Sequence, residues 1–197
     1  TGLYFRPFMI IPGWTFAELR QALVNTPPLS QTLATLADKA IMAKLGFPGI
    51  SPEGEFMPET YFFTKGDTDF SILKRAFSLM QDKFSAVWSL RAKGLPYKTA
   101  FQAFIAASLV EREAFLNSER PLIAGVIVNR LNKHMLLQID PTVIFGLGDQ
   151  YTGSLTKQDL RKDTPYNTYL HQGLPPTPIA MPSMGTIEAV LHPAVHP

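Results

Sequence analysis

Cysteine is absent from the 197 residues of this sequence. Its absence excludes disulfide bonds and thiolate metal ligands within these residues, although it does not fix the cellular compartment. Charged residues are also scarce: they make up 17% of the sequence, and the formal net charge is only +2. Because no basic stripe interleaved with aromatic residues occurs, the composition gives no support to a nucleic-acid-binding protein.

Long apolar runs are lacking as well. The longest extends from Phe101 to Val110 and is interrupted by Gln102 and Ser108, which is far short of the roughly 20 residues that span a bilayer. No signal peptide pattern is visible at the start of the sequence. The first residues read as a chain already in mid-fold, so we expect a piece of a longer protein, with any anchor outside these residues.

Three further kinds of site lack the residues that they need. The segment GLGDQYTG, at 146–153, has no lysine for a phosphate-binding loop. Ser108 has no His/Asp pattern typical of a serine hydrolase. His192 and His196 are four residues apart, but Pro193 lies between them and no third metal ligand is evident. We therefore predict no metal site and no cofactor.

The residues that are present predict an α+β fold that is predominantly α-helical. Apolar side chains recur every three or four residues in several segments, which is typical of amphipathic helices. Helices are predicted at 15–24, 30–45, 69–91, 99–115, 121–134 and 186–193. Short strands are expected near the start and after residue 52, and many of the 17 prolines stiffen irregular loops after Thr164. We expect the helices to pack around a cleft.

Two carboxylates stand at the end of the predicted helix 99–115, which is otherwise apolar on nearly every side. Glu111 and Glu113 are two positions apart, which places them roughly 200° apart around the helix axis. They therefore cannot share one site. The helix dipole and apolar surroundings both disfavour a charged carboxylate there, so either group could serve as a general acid of raised pKa.

A structural role for the two carboxylates is the alternative. Arg112, Arg120 or Arg130 could pair with each of them, and the cluster would then only hold helices together. Spacing alone leaves both roles open. It also does not tell which glutamate would be catalytic.

Polar and aromatic residues further along the chain are candidates for binding. Gln138 and Asp140 would face the same side of an extended segment, although Asp-Pro also commonly begins a turn. Asn167 lies between aromatic residues and could equally form an Asx-turn. Tyr166 and Tyr169 would suit stacking on sugar rings, but packing in the core is the more common fate of tyrosine.

Several motifs occur together and in a fixed order: SLVEREA, LIAGVIVNRL, MLLQIDPTVIFGLG, PYNTY and GLPPTPIAMP. Together they resemble the YceG-like family, the endolytic murein transglycosylases known as MltG. The upstream segment EGEFMPETYFF is also similar to that family. The resemblance covers about residues 52–193.

The resemblance implies a peptidoglycan lytic transglycosylase, a lyase that cuts the β-1,4 bond between N-acetylmuramic acid and N-acetylglucosamine within the glycan strand. The product would end in 1,6-anhydro-muramic acid. Members of this family are anchored by one segment in the bacterial inner membrane and face the periplasm. Glycan strands are thus the implied substrate, and peptidoglycan synthases are implied partners.

The resemblance also assigns roles to residues. The second glutamate of the family's Glu-x-Glu motif is catalytic, which here is Glu113, acting as general acid and then as base. The positions that line or support the site correspond here to Glu111, Gln138, Asp140, Tyr166, Asn167, Thr168 and Tyr169. The chain departs from the family pattern at Ala114, Ile139, Phe145, Thr177 and Ser183, the last two of which replace glycines.

The family comparison also suggests a domain division. Residues 1–28 would be the remnant of, or connector after, a LysM-like subdomain, and residues 29–197 would be the catalytic domain. The family continues beyond the HPAVHP end with an aromatic, Gly-rich segment and a final helix. We therefore expect the catalytic domain to be incomplete at its C-terminus.

Two other functions remain as alternatives. One is a lysozyme-type muramidase in which Asp140 serves a water or a covalent intermediate. The other is a glycan-binding scaffold without turnover.

Overall fold

The computed structural model describes residues 4–195, which contain seven α-helices and one two-stranded sheet. The elements follow one another as β1 (Arg6–Met9), α1 (Phe16–Val24), α2 (Asp38–Leu45), β2 (Thr60–Phe63), α3 (Asp69–Trp88), α4 (Ala100–Glu113), α5 (Arg120–Asn132), α6 (Asp140–Leu147) and α7 (Met184–Leu191). Strands β1 and β2 are antiparallel, with Arg6 opposite Phe63. The predicted α+β, helix-dominated class is confirmed.

Local sequence signals account for the start of α1. Thr15 accepts a hydrogen bond from the Glu18 backbone N–H at 3.2 Å, and Glu18 Oε2 accepts one from the Thr15 N–H at 2.8 Å. This reciprocal capping box satisfies two backbone donors that a helix N-terminus otherwise leaves unpaired. The helix predicted at 15–24 is thereby confirmed.

The predicted helix 30–45 is wrong in its first half, because α2 begins only at Asp38. The preceding segment is held in an irregular path by the carboxylate of Asp69, which is almost fully buried. Asp69 accepts hydrogen bonds from the backbone N–H groups of Thr32 and Leu33, at 2.9 and 3.0 Å. These contacts with a distant residue replace the hydrogen bonds that a helix would form there.

Two clusters of buried apolar residues form the interior. The first joins β1, α1, α2 and β2 to the N-terminal half of α3. The second surrounds α4, whose residues from Ala103 to Val110 are all buried, and includes parts of α5, α6 and α7. A helix that is apolar on all sides is stable only when neighbours cover it, and α5, α6 and α7 pack against α4 in this way.

The predicted division after residue 28 does not coincide with a break in packing. Strand β1 pairs with β2, and Phe16 of α1 stacks on Phe56 with ring centroids 5.2 Å apart. Residues 4–28 therefore share a core with the residues that follow. Their relation to a LysM-like subdomain stays a prediction.

None of the helices within residues 4–195 combines the length and the hydrophobicity that crossing a membrane requires. His196, one of the two histidines considered as metal ligands, lies outside the described residues.

Candidate active site

Glu113 is the last residue of α4, and its side chain is exposed at the end of an otherwise buried helix. It lies at the edge of a small pocket of about 200 Å³. The other lining residues are mainly apolar and come from α5 and the segment before α6: Ile123, Val126, Ile127, Arg130, Leu137, Gln138 and Ile139. The end of α4 thus brings one carboxylate to an accessible concave surface.

The expected apolar enclosure of Glu113 needs correction, because only part of the side chain is covered. That partial burial nevertheless raises the pKa of Glu113 above its usual 4.5, and the nearby charge of Asp140 raises it further. None of the hydrogen bonds or ion pairs among residues 4–195 occupies the Glu113 carboxylate. The carboxyl group is therefore available to an incoming molecule.

Asp140 lies at the first position of α6 and is held there by Tyr169, whose hydroxyl donates to Asp140 Oδ1 at 2.5 Å. This hydrogen bond is the main cause that raises the pKa of Tyr169 to about 12, so the phenol stays protonated and continues to donate. The charges of Asp140 and Glu113 also raise the pKa of Tyr169. Asp140, Tyr169 and Glu113 therefore form one electrostatic group.

Gln138 is exposed and lines the Glu113 pocket, but the extended conformation predicted for it is wrong. Its φ of +53° is in the left-handed region, and α6 begins two residues later. The backbone N–H of Gln138 donates to the Thr168 carbonyl at 3.1 Å. Arg130 fixes the same segment by donating to the carbonyl oxygen of Leu137.

Glu111 points away from this pocket, as the angle of about 200° predicted. Its side chain is only 6% exposed, and its Oε2 accepts hydrogen bonds from Ser183 N at 2.9 Å, Ser183 Oγ at 2.8 Å and the Thr186 hydroxyl. Arg120 lies 3.5 Å from Oε1. The structural pairing considered for these carboxylates thus holds for Glu111, which ties the end of α4 to the start of α7.

Asn167 and Thr168 lie behind the site surface, so of the two roles expected for them, lining or supporting the site, their burial favours support. Asn167 is fully buried; its amide group donates to the carbonyls of Leu160 and Lys162, at 3.1 and 2.8 Å, and its Oδ1 accepts from the Tyr169 N–H. The hydroxyl of Thr168 accepts from the Ile139 N–H at 2.9 Å. These contacts make both residues supports of the segments that carry Asp140 and Tyr169.

Tyr166 lies in a different environment from Tyr169. Its ring packs on Phe145 with centroids 4.8 Å apart, and its hydroxyl is 2.9 Å from the hydroxyl of Thr177. Thr177 and Ser183, two of the positions expected to depart from the family pattern, carry hydroxyls that contact Tyr166 and Glu111. Neither Tyr166 nor Glu111 lines the pocket beside Glu113.

The sequence analysis did not predict that α5 forms an apolar wall of the Glu113 pocket. Ile123, Val126 and Ile127 recur at the spacing of one helix face, which could have indicated a shared surface but not that Glu113 lies against it. Arg130 was considered only as an ion-pair partner of a glutamate. It binds backbone carbonyls instead.

Comparisons with known proteins identify the family of this chain. Residues 3–197 match the model of the YceG-like family. An endolytic murein transglycosylase of Bacillus subtilis (strain 168) is 39% identical over 142 residues, which cover 72% of this chain and 39% of that protein. A protein of the same name from Streptococcus pneumoniae (serotype 2, strain D39) is 31% identical over 179 residues, covering 88% of this chain and 30% of that protein.

A solved structure shares the fold. The 2.6 Å crystal structure of a yceG-like protein from Listeria monocytogenes matches with a TM-score of 0.80 and 30% identity, covering 96% of this chain and 67% of that one. The chain spans only 30% to 39% of the length of the two curated relatives above. Because the family model matches almost every residue, the chain belongs to the YceG-like family.

Proposed function

We propose that this chain carries the catalytic site of a peptidoglycan lytic transglycosylase, which cuts glycan strands internally between N-acetylmuramic acid and N-acetylglucosamine. The names of the relatives support the class of enzyme. One observation supports assigning the catalytic role to Glu113. Its carboxyl group is accessible, has a raised pKa, and lies beside a pocket at the end of a buried helix.

In the first step Glu113 acts as a general acid. Its raised pKa keeps a larger fraction protonated near neutral pH than an ordinary glutamate would have. It donates its proton to the glycosidic oxygen, which leaves with the N-acetylglucosamine residue as the bond to C1 of muramic acid breaks. The transition state has oxocarbenium character at C1.

In the second step the same carboxylate acts as a base. It accepts the proton of the C6 hydroxyl of muramic acid while that oxygen forms a bond to C1, which closes the 1,6-anhydro ring. No water is consumed, and Glu113 returns to its protonated state. A second carboxylate that activates water is therefore not required.

Asp140 supports this cycle through its charge. The hydrogen bond from Tyr169 holds its carboxylate in one orientation, where it raises the pKa of Glu113 and favours positive charge developing at C1. Gln138 lines the same pocket and offers an amide to sugar hydroxyl or acetamido groups. Glu111, Asn167 and Thr168 hold the elements that present these groups.

The products distinguish this proposal from its alternatives. Purified glycan strands are digested with the chain, and the new ends are analysed by mass spectrometry. A transglycosylase gives anhydro ends, lighter by one water than the reducing ends that a muramidase gives. A scaffold gives no new ends. Reducing ends or no ends would contradict the proposal.

We also propose, from the family resemblance alone, that the domain works in the periplasm from an inner-membrane anchor outside this chain, near peptidoglycan synthases. A fusion of the full-length protein to a reporter that is active only in the periplasm tests its location. Loss of reporter activity despite normal expression would refute it, and cross-linking in cells tests the synthase contact.

A further inference from the structure

An exposed aromatic side chain follows the candidate acid closely along the chain. Phe115, two residues after Glu113, is 96% exposed, which makes it the most exposed large apolar side chain among residues 4–195. Its neighbour Leu116 is 61% exposed. Single exposed apolar residues are common on protein surfaces, whereas contiguous exposed apolar patches mark interaction sites.

The backbone that carries this ring is held in place. Ala114 leaves the helix in an extended conformation, with its N–H still bonded to the Val110 carbonyl at 2.9 Å. The N–H groups of Phe115 and Leu116 both donate to Glu119 Oε2, at 3.2 and 3.0 Å. The ring is therefore displayed by a fixed segment, not by a loose tail, and little ordering is needed when something binds it.

Apolar residues of α5 continue toward the same pocket. Leu122 and Val126 are both nearly half exposed and lie one helical turn apart on one face. Val126 also lines the Glu113 pocket. We call Phe115, Leu116, Leu122 and Val126 the apolar rim. Val126 links this rim to the Glu113 pocket, and Phe115 is two residues from Glu113 along the chain.

We propose that the apolar rim is a sugar subsite, in which Phe115 stacks against one face of a pyranose ring next to the bond that is cut. This inference rests on the proposed function. A pyranose chair with equatorial substituents carries its hydroxyls around the edge and C–H groups on its faces. Those C–H groups match the electron-rich face of an aromatic ring, while Gln138, Asp140 and Glu113 meet the polar edge.

The apolar rim would strengthen binding of the glycan without taking part in cleavage of the bond. Its residues carry no titratable group, so it does not take part in proton transfer. Covering the ring removes apolar surface from water in both partners. The subsite therefore predicts a change in substrate affinity, seen in KM, with kcat changed less.

The test uses four variants and purified, uncross-linked glycan strands. Phe115→Ala is expected to raise KM roughly tenfold, whereas Phe115→Trp keeps or lowers KM because a larger flat ring remains. Phe115→Leu should fall between them, since it is apolar but not flat. Leu90→Ala removes another exposed apolar side chain outside the site, and it should behave as the unchanged chain.

Binding separates failure of this inference from failure of the proposed function. Sedimentation with glycan strands, carried out in the Glu113→Gln background, measures affinity whether or not the chain is an enzyme. Phe115→Ala is expected to weaken binding roughly tenfold there as well. Equal binding and equal KM for Phe115→Ala and Leu90→Ala would overturn the subsite, even if the unchanged chain cuts glycan.

The same binding experiment also tests whether the apolar rim binds something other than a sugar. Phospholipid vesicles of phosphatidylglycerol and phosphatidylethanolamine replace the glycan in a parallel sedimentation. If Phe115→Ala abolishes vesicle binding and leaves glycan binding unchanged, the rim docks on a lipid surface and the sugar subsite is wrong. Reduced glycan binding with no vesicle binding by any variant supports the subsite.

Discussion

Replacing Glu55 with glutamine is expected to stabilise the folded chain above neutral pH and to change little in acid. Glu55 is only 4% exposed and lines an aromatic pocket of about 620 Å³ that includes Phe77 and Phe84. Burial raises its pKa from 4.5 to about 7, although Gln81 Nε2 donates to its Oε2 at 2.8 Å. The folded chain therefore prefers the neutral form of Glu55.

The magnitude follows from this pKa. Below pH 4.5, which is the pKa of this group in the unfolded chain, Glu55 is protonated in both the folded and the unfolded state. It then does not lower the unfolding free energy. As the pH rises to about 7, the unfolded chain releases the proton first, so stability falls. Above that pH the cost is complete, at about 3 kcal/mol, because one pKa unit corresponds to about 1.4 kcal/mol. Glutamine stays neutral and can still accept the hydrogen bond from Gln81.

Urea unfolding at about pH 4 and about pH 8 measures this difference. The unfolding free energy of Glu55→Gln is expected to exceed that of the unchanged chain by up to about 3 kcal/mol at the higher pH. At the lower pH the two should agree within about 0.5 kcal/mol. Glu59→Gln replaces an exposed glutamate and is the matched control. Its unfolding free energy should change little at either pH. An equal gain in unfolding free energy at both pH values, or no gain at about pH 8, would show that burial of the charged Glu55 does not destabilise the folded chain.

Two further predictions concern the carboxylates around the site. Glu111→Ala is expected to destabilise the chain by about 3–5 kcal/mol in urea unfolding, because it leaves Arg120 and the donors of Ser183 and Thr186 without their buried acceptor; a loss below about 1 kcal/mol would contradict this. Asp140→Asn removes a charge that raises the pKa of Glu113, so the alkaline limb of the pH profile of kcat/KM should move to lower pH. An unmoved limb would show that Asp140 does not act on the proposed catalytic acid.

Features that depend on neighbouring residues in sequence could be predicted well. The capping box of Thr15 and Glu18 involves residues three apart, so the sequence contains both halves of the interaction. The opposite orientation of Glu111 and Glu113 follows from helix geometry alone. The helical period likewise predicted α3 and α4 to within three residues at each end.

Features that depend on distant residues could not be predicted in this way. The irregular path before Asp38 is imposed by Asp69, more than thirty residues further along the chain. The left-handed conformation of Gln138 is stabilised by contacts of its segment with Thr168 and Arg130. Whether Glu113 is buried or exposed depends on how closely α5 and α6 approach the end of α4. No local pattern contains that information.

The direct test of the account is the analysis of glycan ends produced by the unchanged chain and by Glu113→Gln. Both proteins are first shown to have the same unfolding free energy within about 0.5 kcal/mol, since the exposed Glu113 carboxylate makes no hydrogen bond or ion pair within residues 4–195. We expect 1,6-anhydro ends from the unchanged chain and none from the variant. Anhydro ends formed at a similar rate by a folded Glu113→Gln variant would contradict it.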